Sequence, residues 1–243
     1  SCVEMVRAPW VTPEWMRAHV IEDGSMNLIL EQKALGKGGV IVAFHMGSWE
    51  LLKDVCLMYG ITMFTVSANQ KNPLTNAFIL RLRAKSGFEV LLRDRSVLKG
   101  MISRLRDGKF LAMLPDLRQH TEGVAVNFLG KTANVPGGMG LLARQTGVPI
   151  YPALIWREGW MRHGYRVMDV IWPDPSMDKQ ADTLRMTQRV FDLFEAYIRE
   201  HPEQWFWYNK RWILDPLKPT DHPGRGAQAQ SESVISKQLP LRE

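Results

Sequence analysis

The stretch "GVIVAFHMGSWELLKDVCLMYGITMFTVS", residues 39–67, decides the fold class. It opens with a short apolar, β-branched run that is typical of a buried strand, and it closes with a second such run, "ITMFTVS". Between them lies a helical segment, Trp49–Tyr59, which Gly60 ends. A strand, a helix and a strand in this order predict two parallel strands joined by a crossover helix.

The same alternation continues toward the C-terminus. Helices are predicted at Pro73–Lys85 and Ser96–Arg106, and buried strands at "FEVLL" and "KFLAMLP". The sequence therefore predicts an α/β fold, with a mostly parallel central sheet flanked by helices.

Outside this repeat the pattern is less regular. Residues 3–35 look mostly helical, and "VAVNF" reads as one short strand that is followed by a helix at Met139–Gln145. The runs "VPIYPALIW" and "YRVMDVIW" predict an antiparallel hairpin. Asp182–Glu200 is predicted as an amphipathic helix. The residues predicted to form its buried face are Leu184, Phe191, Phe194 and Ile198.

Length and composition indicate a single domain over residues 1–218, followed by a polar, Pro/Gly-rich tail at 219–243 that we expect to be disordered. The two cysteines exclude a disulfide framework, and no Cys/His spacing fits a structural zinc site. The net charge of +6 is concentrated: residues 81–109 contain nine basic and three acidic side chains. Such a segment favours an anionic partner, unless it is an ordinary solvated helix face.

His45 and Glu50 are the residues that first suggest chemistry. In open α/β sheets ligands bind at the carboxyl ends of the strands, and His45 comes at the end of a predicted strand. Glu50 lies in the first turn of the next helix, where its carboxylate is expected to hold one ring nitrogen of His45. The other nitrogen is then a general base. Ser48 lies beside the pair in sequence, so the simplest chemistry is activation of a substrate hydroxyl.

The motif His45-Met-Gly-Ser-Trp-Glu50 resembles the His-x-x-x-x-Asp/Glu motif of glycerolipid and lipid A acyltransferases. Further stretches match in order: "NPLTNAFILRLR", "RDRSVLKGMISRLRDGK", "LPDLRQHTEGVAVNFLGKTANVPGGMGLLARQTGVPIYP" and "HPEQWFWYNKRW". Together they resemble the late acyltransferases of lipid A synthesis, the lauroyl and myristoyl transferase family, from about Gly38 to Trp212. Phosphatidylinositol mannoside acyltransferases belong to the same superfamily.

The resemblance implies transfer of a fatty acyl chain from acyl carrier protein to a hydroxyl of a phosphorylated membrane glycolipid. It implies His45, Glu50 and Arg81 as catalytic residues, with no metal and no cofactor. The implied substrate-binding residues are Arg83, Asp116, Gly137, Gly138, Asn209, Lys210 and Arg211. Asp116 is expected to organise the site, although the family's usual neighbour of this aspartate is displaced here.

Location and partners are also implied by the resemblance. The family works at the cytoplasmic face of the inner membrane and usually carries a membrane helix upstream, which we expect to be missing from this chain. Partners are then acyl carrier protein, the glycolipid and the membrane surface. Nucleic acid is not expected, because residues 81–109 show neither interleaved aromatics nor a known motif.

Three alternatives stay open at this stage. The acceptor is a different glycolipid or a lysophospholipid, as in the phosphatidylinositol mannoside type. The same base activates water, which makes the protein a hydrolase. The chain keeps the fold but binds lipid without catalysis.

Overall fold

The computed structural model describes residues 6–7, 10–67, 72–85, 87–92, 96–207 and 212–214, with the backbone alone for residues 83–85. The helices are α1 (Pro13–His19), α2 (Asn27–Ala34), α3 (Trp49–Met58), α4 (Pro73–Lys85), α5 (Val97–Arg106), α6 (Gly138–Thr146) and α7 (Lys179–Glu200), followed by a 3-10 turn at Pro202–Gln204. The strands are β1 (Val20–Ile21), β2 (Gly39–Val42), β3 (Met63–Ser67), β4 (Glu89–Leu92), β5 (Phe110–Met113), β6 (Val124–Phe128), β7 (Lys131–Val135), β8 (Ile150–Gly159) and β9 (Arg162–Val167).

Seven of the strands in the described ranges form one sheet in the order β1-β9-β8-β2-β5-β3-β4. Every neighbouring pair is parallel except β8 and β9, which form an antiparallel hairpin. The predicted α/β class, the mostly parallel sheet and the hairpin are therefore confirmed. The strands β2, β5, β3 and β4 end at the same side of the sheet, which we call the carboxyl edge.

The core lies on both faces of the sheet, which explains why β2 is apolar at every position. Val40 and Val42 pack on one face in a cluster with residues of α6 and α7, whereas Ile41 packs on the other face against α3. All four residues of β2 are buried. The central strand is thereby fixed on both sides, and the loop that follows it starts from a rigid position.

The N-terminal region is mostly helical in its described residues, as predicted, but it also contains an element that was not predicted. Helices α1 and α2 are separated by the short strand β1, which pairs in parallel with His163 and Gly164 of β9. The β-branched pair Val20–Ile21 suits the free edge that β9 offers. No helix in the described ranges combines the length and the hydropathy that a bilayer-spanning helix needs.

Helix α7 is confirmed, and three of the four residues predicted for its buried face, Phe191, Phe194 and Ile198, are buried. The prediction is wrong only at Leu184, which is exposed, while Thr183 and Thr187 are buried in its place. The buried stripe runs through these threonines toward Phe194, and Leu184 is rotated by about 100° from Thr183. Gly140 allows α6 to approach α7 closely at this stripe, since a Cβ at that position would lie 2.9 Å from the carbonyl oxygen of Thr183.

The segment after β5 contains a second hairpin that the sequence indicated only in part. The predicted strand "VAVNF" is β6, and it pairs antiparallel with β7, which was not predicted. The turn between them has positive φ angles at Leu129 (51°) and Gly130 (78°). Leucine is rare in such a turn, so the sequence carried a weak hairpin signal here. The proposed tail at 219–243 lies outside the described residues.

Candidate functional site

His45 lies three residues beyond β2, at the carboxyl edge of the sheet. The chain turns sharply after it at Gly47, where φ is +53° and an added Cβ would lie 2.1 Å from the carbonyl oxygen of Ile155. Glycine is required at this position for both reasons. The turn directs the chain into α3 and leaves the His45 side chain 22% exposed at the sheet edge.

Asp116 holds the imidazole ring of His45. Its Oδ1 lies 2.7 Å from Nδ1 of His45, and its Oδ2 accepts a hydrogen bond from the His45 backbone N–H at 2.8 Å. The two residues meet because β2 and β5 are parallel neighbours that end at the same edge. The Asp116 side chain is 1% exposed, so its charge is shielded from water and acts strongly on the ring.

This geometry corrects the predicted role of Glu50. The carboxylate on Nδ1 belongs to Asp116, which comes from the neighbouring strand, and not to Glu50, five residues further along the same chain. Glu50 is the second residue of α3 and is half-buried; it acts on His45 through its negative charge. Asp116, expected as an organiser of the site, occupies the position given to Glu50.

The pKa of His45 results from opposed effects. Burial by itself lowers the pKa, because it disfavours the charged ring, but the hydrogen bond and the charge of Asp116 raise it. The charge of Glu50 raises it further, and the outcome is a pKa above the usual value. With Nδ1 bound to Asp116, Nε2 is the ring nitrogen left to accept a proton. The arrangement suits a general base.

A C-terminal strap, residues 202–207, crosses the His45 loop. Phe206 donates its backbone N–H to the carbonyl oxygen of His45 at 2.9 Å, and Gly47 donates its own to the carbonyl oxygen of Gln204 at 2.7 Å. Trp205 donates its indole N–H to Oδ2 of Asp116 at 3.0 Å. The strap therefore contacts both members of the pair.

Trp205 and Gln204 are site residues that sequence reasoning missed. Trp205 is 4% exposed and packs edge-on against Phe128 and beside Trp212. Gln204 exchanges two hydrogen bonds with the backbone of Arg157 in β8, both at 3.2 Å. The sequence signal for Trp205 was the tryptophan-rich run "WFWYNKRW", in which the predicted substrate-binding residues are Asn209, Lys210 and Arg211; these three lie outside the described residues.

Arg81 is exposed on α4 and is not joined to His45 or Asp116 by any hydrogen bond or ion pair among the described residues. Helix α4 connects the parallel strands β3 and β4, so it runs away from the carboxyl edge. Arg81 is its ninth residue, about 12 Å along the axis from Pro73. The side chain of Arg83 lies outside the described residues.

Gly137 and Gly138 open α6 as predicted. A Cβ on Gly137 would lie 2.5 Å from Cγ2 of Val124, whereas one on Gly138 would make an ordinary contact with Met113. Close packing against β6 therefore accounts for the first glycine without a bound phosphate. Binding of a substrate by the pair stays a prediction.

The basic segment at residues 81–109 is neutralised in part. Arg104 and Lys109 both donate to the carboxylate of Glu89, from Nε at 2.7 Å and from Nζ at 2.9 Å. The hydrogen bond from Arg104 is the largest effect that lowers the pKa of Glu89. These two cations are engaged within the protein, and Arg93 and Arg95 lie outside the described residues.

Comparison with known proteins identifies the family of the chain. Residues 2–213 match the family described as bacterial lipid A biosynthesis acyltransferase. A phosphatidylinositol mannoside acyltransferase of Mycolicibacterium smegmatis is 30% identical over 188 residues, which cover 74% of this chain and 58% of that protein. One from Mycobacterium tuberculosis is 28% identical over 188 residues, covering 75% and 57%. The chain spans just over half the length of these relatives. The resemblance found in the sequence is confirmed: the chain belongs to the bacterial lipid A biosynthesis acyltransferase family.

Proposed function

We propose that the protein is an O-acyltransferase that moves a fatty acyl chain from a thioester to a hydroxyl of a membrane glycolipid. The observation that carries the proposal is the His45–Asp116 pair at the carboxyl edge, with Nδ1 and Oδ1 2.7 Å apart. A histidine held in this way removes a proton from a hydroxyl, and the chemistry needs no further nucleophile from the protein.

The reaction follows in two steps. Nε2 of His45 takes the proton of the acceptor hydroxyl while the oxygen attacks the thioester carbonyl carbon, which gives a tetrahedral oxyanion. The carbon–sulfur bond then breaks, and the imidazolium returns its proton to the leaving sulfur. Asp116 stabilises the imidazolium in between and keeps the proton on Nδ1. Arg81, exposed on α4, is proposed to bind the acceptor's phosphate, a task that suits the planar guanidinium.

The proposed donor is an acyl carrier protein thioester, and the proposed place is the cytoplasmic face of the inner membrane. Two acceptor classes are supported by different observations. The family description supports a lipid A-type precursor. The relatives from mycobacteria support a mannosylated phosphatidylinositol. Both are phosphorylated glycolipids with free hydroxyls, so the same pair of residues serves either.

The test is incubation of the chain with acylated carrier protein and each acceptor in detergent, with products analysed by mass spectrometry. An acylated glycolipid supports the proposal and identifies the acceptor class. Release of free fatty acid that does not depend on an acceptor would show a hydrolase. Absence of turnover with both acceptors and with acyl-CoA would favour a lipid-binding module.

The raised pKa of His45 predicts the pH dependence of transfer. The base acts only when neutral, so kcat/KM rises as pH passes upward through the pKa of His45. Because Asp116 and Glu50 raise that pKa, we expect the midpoint of the acid limb above the ordinary histidine value of about 6.5. Initial rates between pH 5 and pH 9 measure it. A midpoint below the ordinary value would contradict the mechanism.

A further inference from the structure

We propose that the carboxyl edge of the sheet is a lipid-binding surface that rests on an anionic bilayer. This inference rests on the proposed function, since that reaction draws its acceptor from a membrane. It goes beyond it by assigning the side of the molecule and the side chains that meet the lipid. The surface consists of two groups of exposed apolar residues, one on each side of His45 and Asp116.

The first group is the tip of the β8–β9 hairpin. Trp160 is 90% exposed at the turn. Strand β8 passes Gly47 at Ile155, so Trp160 lies five residues, at most about 17 Å, beyond the His45 loop. The next residue, Met161, has a positive φ of 54°, in a turn type where glycine or asparagine is the usual choice. Met161 is half-buried, so Trp160 is the apolar side chain that this turn exposes, and it suits insertion into lipid better than exposure to water.

The hairpin is fixed to the site. Arg157 of β8 donates to Oγ of Ser48, three residues after His45, at 3.3 Å, and its backbone is held by Gln204 of the strap. Phe206, two residues along the strap, is 45% exposed. A bilayer that contacts Trp160 and Phe206 is therefore held at a set distance from the reacting nitrogen.

The second group lies at the other end of the same edge. Leu74 and Phe78, one helical turn apart near the start of α4, are 80% and 49% exposed. Leu92 is the last residue of β4 and Leu98 the second residue of α5, and both are also exposed. Since α4 and α5 begin where β3 and β4 end, all four residues lie at the carboxyl edge. The site is thus flanked on both sides by apolar side chains in water.

Lipid fits this surface better than a protein partner does. Tryptophan favours the interface between lipid and water, and the net charge of +6 attracts anionic headgroups. Arg162 lies two residues from Trp160 and is 65% exposed; it is 4.0 Å from the carboxylate of Glu158, and its exposed guanidinium can still reach phosphate groups. An acidic carrier protein is the rival partner, and the experiment separates the two.

The test is co-sedimentation of the full chain with vesicles of phosphatidylcholine, alone or mixed with phosphatidylglycerol. We expect Trp160→Ser, and separately Leu74→Gln with Phe78→Gln, to weaken binding about tenfold. The matched controls, Trp172→Ser and Leu35→Gln, are expected to stay within about twofold. Trp172 and Leu35 are 52% and 68% exposed but lie at the opposite edge, beside the start of β8 and just before β2.

The outcomes separate this proposal from the proposed function. Acyl transfer to a detergent-dispersed acceptor is measured for each variant and is expected to stay near the wild-type rate. Suppose that the wild-type chain binds vesicles, that Trp160→Ser weakens this binding, and that the wild-type chain transfers no acyl group. The proposed function is then wrong, and the proposed lipid-binding surface is supported. Equal loss of vesicle binding in Trp160→Ser and Trp172→Ser would refute the assignment of the carboxyl edge as the lipid-binding surface. A Trp160→Ser variant that binds vesicles normally but has a raised KM for the carrier protein would also overturn it, in favour of the protein partner.

A second, independent observation concerns Trp205. We infer that it is a positioning residue for the His45–Asp116 pair, because its indole N–H is bonded to the carboxylate oxygen that does not face Nδ1. It prevents rotation of the carboxylate and draws part of its charge away from the ring. Trp207 provides a matched control, since its indole N–H goes instead to the carbonyl oxygen of Pro202 at 2.6 Å.

We expect Trp205→Phe to lower kcat about tenfold with little change in KM, because the donor is lost while an aromatic ring remains. Without that donor the carboxylate pulls harder on the imidazolium, so the acid limb of kcat/KM moves to higher pH. Trp207→Phe should change neither quantity. Thermal unfolding of both variants accounts for lost packing. An unmoved acid limb in Trp205→Phe, or an equal shift in Trp207→Phe, would refute the assignment.

Discussion

Replacement of His45 by alanine is expected to lower kcat/KM for acyl transfer by about 10³-fold, within the range of 10²–10⁴ that a general base contributes. Asp116 does not replace the ring as a base, since its carboxylate is buried and in the variant still accepts hydrogen bonds from the backbone N–H of residue 45 and the indole N–H of Trp205. The measurement is the initial rate of glycolipid acylation at pH 8.

The fold should survive this change. His45 is partly exposed on a loop, and the strap still holds the loop through the backbone of residues 45 and 47. His120→Ala, at an exposed position outside the pair, is the matched control and should keep the wild-type rate. A His45→Ala protein that is folded and transfers at more than a tenth of the wild-type rate would remove the mechanism.

Asp116→Asn is expected to lower kcat by about 10²–10⁴-fold, although the change adds no bulk. The two N–H donors at Oδ2, from His45 and Trp205, will select the amide oxygen for that position. The amide NH₂ then faces Nδ1, which must accept instead of donate. The ring proton then lies on Nε2, the nitrogen that must be unprotonated to accept the proton of the substrate. The variant therefore holds His45 in the unreactive tautomer. The rate of acyl transfer with saturating substrates measures the effect.

Glu50→Gln tests whether Asp116, and not Glu50, is the carboxylate that orients the His45 ring. Removal of the Glu50 charge should shift the acid limb of kcat/KM to lower pH, since that charge raises the pKa of His45, while the rate at pH 8 falls no more than about tenfold. If Glu50→Gln proved as damaging at pH 8 as Asp116→Asn, Glu50 would have a direct role in orienting the ring.

The fold could be predicted because its signals are local. Short apolar runs indicate the strands β2, β3 and β5, and glycines mark the ends of the helices. Each of these signals lies within a few residues of the element that it predicts. His45 could be found for the same reason, since the end of a buried strand is visible in the sequence. Short edge elements such as β1 and β7 could not, because pairing with a neighbour stabilises them more than their own residues do.

The partner of His45 depends on contacts that are not local. Asp116 is 71 residues away in sequence and meets the ring because β5, rather than β3, lies beside β2. Glu50 was the nearer carboxylate in sequence and took that role in the prediction. Trp205 is one of several neighbouring aromatic residues, and the sequence does not distinguish it from Trp207. Only the structure shows that the indole of Trp205 is bonded to Asp116 and that of Trp207 to a backbone carbonyl.

The strap also has a consequence for the order in which the protein matures. His45 and Asp116 can meet once β2 and β5 are paired, but Trp205 follows Asp116 by a further 89 residues. Synthesis proceeds from the N-terminus, so a nascent chain carries a loosely held base until α7 and the strap have left the ribosome. The His45–Asp116 pair is thus held in its active geometry only late in synthesis, after both faces of the sheet have been covered. A chain truncated before residue 202 would keep the sheet but lose the strap contacts that hold His45 and Asp116 in place.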